Sequence, residues 1–116
     1  MKTRSRRTAR QAGTAWESAI VDALRHNGWP HAERRAKTGA HDKGDITGVI
    51  GVCIEAKNTN RFEPATFLDE ATTEATNAGA VVAAAWIKRR GHTAPGKGYV
   101  LLDGDTFMKL LREAGY

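Results

Sequence analysis

Apolar residues recur at helical spacing in three stretches of the chain, and the first of them follows residue 14. Thr14 and Glu17 have the S/T-x-x-E spacing of a capping box, which marks the start of a helix. Gly28 is a stop signal soon after the last apolar position. The pattern therefore predicts a helix over residues 15–26. Its apolar face comprises Trp16, Ala19, Ile20, Ala23 and Leu24.

The same spacing predicts two further helices. Pro64 suits a first helical position, and Gly79 follows the last apolar residue of that helix. Asp105 is predicted to cap a final amphipathic helix near the C-terminus. The apolar faces comprise Phe67, Leu68, Ala71, Ala75 and Ala78 in the second helix, and Phe107, Leu110, Leu111 and Ala114 in the third.

Five short segments have the length and composition of strands, and they span residues 31–38, 46–50, 52–56, 81–87 and 99–102. Gly48 and Gly51 lie near a reversal between the second and third segments, so these two are expected to form a hairpin. The resulting order is α-β-β-β-α-β-β-α. This order predicts an α/β fold of the α+β type, in which helices pack on a mixed sheet.

Composition adds a single domain and a basic surface to this picture. A chain of 116 residues, 41% hydrophobic and 27% charged, is large enough for one core and too small for two. Its 18 Lys and Arg against 13 Asp and Glu give a net charge of +5, which favours a polyanionic partner. Residues 1–12 are basic and poor in apolar mass, so we expect a flexible arm before a domain over residues 13–116.

Other bulk features bear on location. No apolar run reaches the roughly 18 residues that span a bilayer, and no hydrophobic segment follows the basic N-terminus, so neither a membrane partner nor a secretory signal is expected. The single cysteine, Cys53, excludes an intrachain disulfide, which fits a cytoplasmic protein. The run from Gly91 to Lys97 matches a phosphate-binding loop in spacing, but a strand follows it instead of a helix, so no nucleotide cofactor is expected.

Charged residues occur within the predicted hairpin, and their positions suggest chemistry. If the hairpin turns around Ile50, Asp45 lies opposite Glu55 on the neighbouring strand. Opposed side chains have Cβ atoms about 4.5–5.5 Å apart, and like charges at that distance are destabilising. A cation between them would remove the repulsion, and Mg²⁺ is the natural candidate because one or two carboxylates commonly hold it.

Strand periodicity adds an ammonium group to this pair. Glu55 and Lys57 are two residues apart and project from the same face of the strand. An ammonium there could orient an attacking water and stabilise charge that develops on a phosphate. The alternative is that Asp45, Glu55 and Lys57 are surface residues that bind nothing.

The arrangement resembles the PD-(D/E)XK nuclease superfamily, and within it the archaeal-type Holliday junction resolvases and their phage relatives. Four elements carry the resemblance: Gly13-x₃-Glu17, Arg34-Arg35, Gly44-Asp45-Ile46 and Cys53-Ile-Glu-Ala-Lys57. Gly44 stands where the superfamily motif has proline. The resemblance implies a restriction-endonuclease-like core, and a location in the cytoplasm of a phage-infected or other prokaryotic cell.

By this resemblance, Asp45, Glu55 and the backbone carbonyl of Ala56 would hold Mg²⁺, with Mn²⁺ as a substitute. Lys57 would serve the attacking water, and Glu17 would reach the site through water or a second ion. Glu17 has a competing role, because the third residue of a capping box bonds back to the cap. One of Arg34 and Arg35 would meet the scissile phosphate. The other residues expected to bind DNA are Arg4, Arg6, Arg7, Arg10, Lys37, Lys88, Arg89, Arg90 and Lys97.

The resemblance implies an endodeoxyribonuclease that resolves Holliday junctions, with branched double-stranded DNA as its partner. Paired nicks require two active sites, so a C₂ homodimer is expected. Its interface could lie on the helix with Phe67 and Leu68, on the strand with Trp86, or on the C-terminal helix. Two alternatives stay open: another restriction-like or repair endonuclease, and a basic DNA-binding protein without catalysis.

Overall fold

Five strands form one mixed sheet within residues 4–36 and 43–116, the part of the chain that this computed structural model describes. They lie in chain order: β1 (Glu33–Arg34), β2 (Ile46–Thr47), β3 (Val52–Lys57), β4 (Val82–Ile87) and β5 (Tyr99–Leu101). Neighbouring strands are antiparallel except β3 and β4, which are parallel.

Helices α1 (Arg6–His26), α2 (Pro64–Ala78) and α3 (Gly104–Glu113) accompany the sheet, and a 3₁₀ turn over Pro95–Lys97 precedes β5. Helix α2 makes the crossover between the two parallel strands. The predicted α+β architecture with a mixed sheet is therefore confirmed. None of the described helices is both long and apolar enough to cross a membrane.

Helices α1 and α2 cover opposite faces of the sheet, since successive strand residues point to opposite sides. Trp16 and Ile20 of α1 pack with Ile54 of β3 in one buried cluster. Phe67 of α2 packs with Ala85 of β4 in a second cluster. We call these two sides of the sheet the α1 face and the α2 face.

The first helix begins nine residues earlier than predicted. Ser5 is its N-cap, and the Ser5 side chain accepts a hydrogen bond from the backbone N–H of Thr8. Thr14 lies inside the helix, so its predicted role as a cap is wrong. Arginine, alanine and glutamine are good helix formers, which explains why the basic stretch continues the helix. The predicted boundary between arm and domain, at residue 12, thus falls within α1.

The other element ends agree in part with the pattern. Helix α2 begins at Pro64 and is closed by Gly79 in the left-handed conformation, as predicted. The cap of α3 is Asp103, which accepts from the backbone N–H of Thr106 at 2.7 Å, and Asp105 lies in the first turn. Strand β1 is two residues long instead of eight, and residues 37 and 38 of the predicted strand, with Lys37, lie outside the described residues.

The hairpin has the predicted register but a shorter first strand. Ile46 pairs with Ile54, which is the register of a hairpin centred on Ile50. Gly48 ends β2 because its φ is +99°, and a Cβ there would lie 2.2 Å from the carbonyl oxygen of His31. The turn of the hairpin therefore includes residues 48–50, which the β-branched composition had assigned to the first strand.

Candidate functional site

Asp45 is held between two strands by its backbone. Its N–H donates to the carbonyl of Ile54 at 3.0 Å, and its carbonyl accepts from the N–H of Arg35 at 2.8 Å. The carboxylate Oδ2 accepts from the backbone N–H of Ala56 at 2.8 Å. Because its backbone and side chain are both bonded, the carboxylate is fixed beside β3.

The backbone conformation of the residue before Asp45 requires glycine. Gly44 has a φ of +98°, which the ring of proline cannot adopt. A Cβ at this position would also lie 2.7 Å from the Sγ atom of Cys53. The chain therefore needs glycine at position 44 to bring Asp45 against β3.

The side chains of Glu55 and Lys57 point to the α2 face. In the parallel pairing, Glu55 lies beside Ala85 and Lys57 beside Ile87, both of which belong to the cluster around Phe67. The sequence prediction that these two charged residues share a face is therefore confirmed. The alternative that these are surface residues is wrong for Glu55, because the residue is 6% exposed.

Asp45 and Glu55 approach each other on this face, as the register predicted. Their carboxyl groups interact both through charge and through a side-chain hydrogen bond. Asp45 is 3% exposed, so the pair is shielded from water. Two buried acids in contact repel each other when both are ionised, and a cation or a proton must relieve that repulsion.

Helix α2 adds two acidic residues to the site that were not predicted from the sequence. Glu74 is 7% exposed and hydrogen-bonds Glu55, and Glu70 forms an ion pair with Lys57. A signal was present in the sequence. Glu74 is three residues after Ala71 and seven after Phe67, so it lies on the apolar face of the helix, where an acid is unusual.

Burial has a large effect on the acidity of Glu55. Loss of hydration, the hydrogen bond with Glu74 and the charge of Asp45 together raise the pKa of Glu55 from 4.5 to about 11. A contact between two carboxyl groups becomes a hydrogen bond only when one of them carries a proton. Without a bound cation, Glu55 therefore holds a proton at neutral pH.

The same groups fit a hard divalent cation. The Oε2 atom of Glu55 is buried and accepts no hydrogen bond from a donor among the described residues. The Ala56 N–H points toward Asp45, while the Lys57 carbonyl accepts from Lys88 on the opposite side of the strand. Since alternate residues of a strand direct their backbone groups to opposite sides, the Ala56 carbonyl also points toward Asp45. Two carboxylates and a carbonyl are oxygen ligands of the kind that Mg²⁺ prefers.

No group of three or more His, Cys, Asp or Glu side chains is arranged to hold a metal ion within residues 4–36 and 43–116. Mg²⁺ does not require such a group, because it keeps several waters and often binds only one or two carboxylates. The candidate site is therefore the pair Asp45 and Glu55 with the Ala56 carbonyl.

Lys57 is bound on several sides. Its Nζ atom is 3.6 Å from Oε1 of Glu55, bonds to Glu70, and lies 5.4 Å from the centroid of the Phe67 ring. Burial by itself would lower the pKa of Lys57, but the hydrogen bond with Glu70, the charge of Glu55 when that residue is ionised, and the charge of Glu70 raise it overall. The side chain is therefore a fixed ammonium group beside the two carboxyls.

Glu17 is not brought to this cluster. Its Oε1 atom accepts from Nε of Arg34 at 3.1 Å, and Arg34 lies opposite Ile46, whose side chain belongs to the α1 face. The sheet therefore separates Glu17 from Glu55. The alternative role of Glu17 in a capping box at Thr14 is also wrong, because the helix begins at Arg6.

Arg34 and Arg35 lie on opposite faces, which distinguishes two residues that the sequence left equivalent. Arg34 is paired with Glu17 on the α1 face. Arg35 follows it in extended backbone bonded to Asp45, so its side chain lies on the α2 face. It lines a cavity of about 260 Å³ together with Ala78 at the end of α2. Arg35 is therefore the arginine on the side of the carboxyl cluster.

The other residues expected to bind DNA occupy two regions. Arg6, Arg7 and Arg10 are exposed in the first turns of α1. Arg4 donates to the carbonyl of Asn58 at 2.8 Å, which holds it next to the end of β3. The basic residues after β4 lie near this same end of the sheet, and they are Lys88, Arg89 and Arg90, with Lys97 exposed in the 3₁₀ turn.

No family model, curated protein or solved structure matches this chain. The function is therefore inferred from the chemistry of the carboxyl cluster and of the basic residues around it.

Proposed function

We propose that this protein is a Mg²⁺-dependent endodeoxyribonuclease with a restriction-endonuclease-like core, and that it resolves Holliday junctions. One observation carries the proposal. The carboxyl groups of Asp45 and Glu55 are in contact, both residues are buried, and Lys57 lies beside Glu55 on the same face. A fold gains nothing from burying two acids together, so a functional role accounts for their position better than a structural one.

Asp45, Glu55 and the Ala56 carbonyl would hold Mg²⁺. When bound, the ion would supply Lewis-acid stabilisation of the charge that develops on the phosphate, and would activate water at neutral pH. The Ala56 N–H keeps the Asp45 carboxylate in place. Glu55 must lose its proton for the cation to bind, so cation affinity should rise with pH.

Lys57 would orient the attacking water and stabilise negative charge on the phosphate. Its ammonium group is close to Glu55, and the raised pKa of Lys57 keeps it charged. Glu70 forms an ion pair with this ammonium group. A phosphate that binds Lys57 must therefore compete with Glu70, which is on the partly exposed side of the cluster.

The proton on Glu55 supports a second function, that of a basic DNA-binding protein without catalysis, because a protonated cluster needs no cation. In that case the proton on Glu55 would relieve the repulsion between the carboxyl groups at all times, and no cation would bind. Another nuclease of the same superfamily would share the metal site but cut a different DNA. Substrate and metal dependence separate the three functions.

The test is cleavage of a four-way junction beside a duplex of the same sequence, each in Mg²⁺ and in EDTA. We expect cuts in the junction only, paired across opposite strands, and only with Mg²⁺. Equal cutting of the duplex would indicate a different nuclease substrate. Binding of both DNAs without cleavage in Mg²⁺ or Mn²⁺ would leave the non-catalytic function.

A homodimer is part of this proposal, and α3 is the surface that best supports it. Of the three faces considered from the sequence, Phe67 is buried within the chain, and Trp86 donates to Pro95 and accepts from Trp16. Helix α3 is strongly amphipathic, but none of its residues is buried. Phe107, Met108 and Leu110 are exposed on it.

Phe107→Glu is expected to convert the dimer to a monomer. An aromatic residue at the centre of an interface typically contributes 2 kcal/mol or more, so the dimer dissociation constant should rise by about thirtyfold or more. Sedimentation velocity measures the change, with Ile50→Glu at the exposed hairpin turn as the matched control. A monomeric wild type, or a dimeric Phe107→Glu, would contradict the role of α3.

A further inference from the structure

A cleft of about 500 Å³ lies where β3 and β4 end, beside the carboxyl cluster but outside it. Its walls come from the segment after β3, from the residues after β4 and from the start of β5. The volume is within the range of about 300–1,000 Å³ that small-molecule sites occupy. The residues that matter for its chemistry are Phe62, Tyr99, Lys88, Arg90 and Asn60.

Two aromatic rings line this cleft and are exposed, although the Arg89 guanidinium lies over the Tyr99 ring, 5.7 Å from its centroid. Phe62 is 58% exposed and Tyr99 is 45% exposed. Their centroids are 6.0 Å apart, with an angle of 63° between the ring planes. Aromatic rings of this size are normally buried, so two exposed rings in one concave site point to a ligand that covers them.

The cleft is also basic. Lys88 and Arg90 line it and also line an adjoining cavity of about 130 Å³, to which Arg4 belongs. No acidic residue lines either cavity within the described part of the chain. Among the residues that the structure describes, Arg61 is the lining cation with an acidic partner, Glu63 at 3.7 Å.

A ligand that matches these walls has a flat, apolar face and a negative charge. Bases stack on aromatic side chains in proteins that bind single strands, while basic groups follow the phosphates. A paired base cannot offer its face to such a ring, because its neighbours in the duplex cover both faces. We propose that this cleft binds an unpaired nucleotide of a DNA strand, with the base on Phe62 and Tyr99 and the phosphate on Lys88 and Arg90.

The position of the cleft relates it to the proposed nuclease site. The backbone N–H of Lys88 donates to the carbonyl of Lys57 at 2.9 Å. The Phe67 ring lies under the Lys57 ammonium, and its centroid is 6.4 Å from the centroid of the Phe62 ring. The Phe62 ring in turn contacts the Tyr99 ring. A row of three rings thus leads from Lys57 into the cleft. This inference rests on the proposed nuclease function, and it specifies that the DNA substrate has an unpaired nucleotide close to the scissile phosphate.

The test is binding in EDTA, which separates recognition from cleavage. Fluorescence anisotropy would measure the affinity for a labelled decathymidylate, for an abasic strand of equal length and for a matched duplex. We expect decathymidylate to bind at least tenfold more tightly than the abasic strand. Phe62→Leu and Tyr99→Leu should each weaken decathymidylate binding by about tenfold and change duplex binding by less than about twofold.

Trp29→Leu, at an exposed ring that lines neither cavity, is the matched control and should leave decathymidylate binding unchanged. Thermal melting would confirm that the exposed Phe62 and Tyr99 tolerate leucine. Equal affinity for the abasic strand, or an equal effect of the variants on duplex, would overturn the proposal. Thymidine monophosphate that competes as well as the strand would also overturn it, in favour of a free nucleotide. None of these outcomes alters cleavage of a junction by the wild type, so the two proposals fail independently.

Discussion

Asp45→Asn is expected to lose Mg²⁺-dependent cleavage while it keeps its fold. Asparagine retains a side-chain oxygen that can accept the Ala56 N–H, so the hairpin should form as before. The substitution removes one of two negative oxygen ligands. Loss of one group that stabilises transition-state charge costs about 10²–10³-fold in rate, and we expect a decrease of this size in single-turnover cleavage of a junction.

Cation binding gives this prediction a readout that does not depend on activity. Mn²⁺ should raise the thermal unfolding temperature of the wild type and leave that of Asp45→Asn unchanged, because only a folded site with both carboxylates binds the ion. Lys57→Gln should lose cleavage but keep the Mn²⁺ effect.

Asp69→Asn is the matched control, since Asp69 is an exposed acid on α2 outside the cluster, and it should behave as the wild type in both assays. A wild type whose unfolding temperature does not respond to Mn²⁺ at any pH would count against the metal site itself. Full activity in Asp45→Asn would exclude Asp45 as a ligand.

Glu55→Gln is expected to make the cation-free protein more stable and inactive. The pKa of Glu55 is raised, so the folded protein keeps a proton that the unfolded chain releases above pH 4.5. The free energy of unfolding should therefore fall as the pH rises from 4.5 toward 11, which is the window between the two pKa values. Glutamine has no proton to lose, so the variant should gain about 1–3 kcal/mol at pH 7.

Urea unfolding in EDTA between pH 5 and 9 would measure this difference, within that window. The free energy of unfolding of the wild type should fall with rising pH. That of Glu55→Gln should depend less on pH, because glutamine binds no proton. Glu113→Gln, an exposed acid at the end of α3, should follow the wild-type curve. Parallel curves for the wild type and Glu55→Gln would show that Glu55 is not the protonated group of the cluster.

The local pattern of the chain predicted much of this site. Period two placed Glu55 and Lys57 on one face, and the glycines around Ile50 indicated the register in which Ile46 pairs with Ile54 and Asp45 comes close to Glu55. Both predictions held because a hairpin has short sequence separation and one buried face, and a register shift by one residue would expose that face. The start of α2 at Pro64 was predicted for a similar local reason.

Predictions that required choosing among equivalent local signals were less successful. Ser5 and Thr14 are both acceptable caps, and so are Asp103 and Asp105. The pattern alone does not decide between them, because the helix that forms depends on what the preceding residues do. Glu17 was assigned to the site from a motif alone. The face of the sheet on which α1 packs places it beside Arg34 instead.

Sequence alone was enough to predict the α+β class, the basic charge, and the positions of Asp45, Glu55 and Lys57 in the hairpin. Each of these depends on spacing within one segment or on a sum over residues. The packing of distant elements was needed to show that α2 covers these three residues, that Glu74 joins them, and that Glu17 lies on the opposite face. It also brought Phe62 and Tyr99 together from segments separated by α2 and β4. Such contacts depend on which faces of distant elements pack together, and periodicity within one element carries no information about its partner.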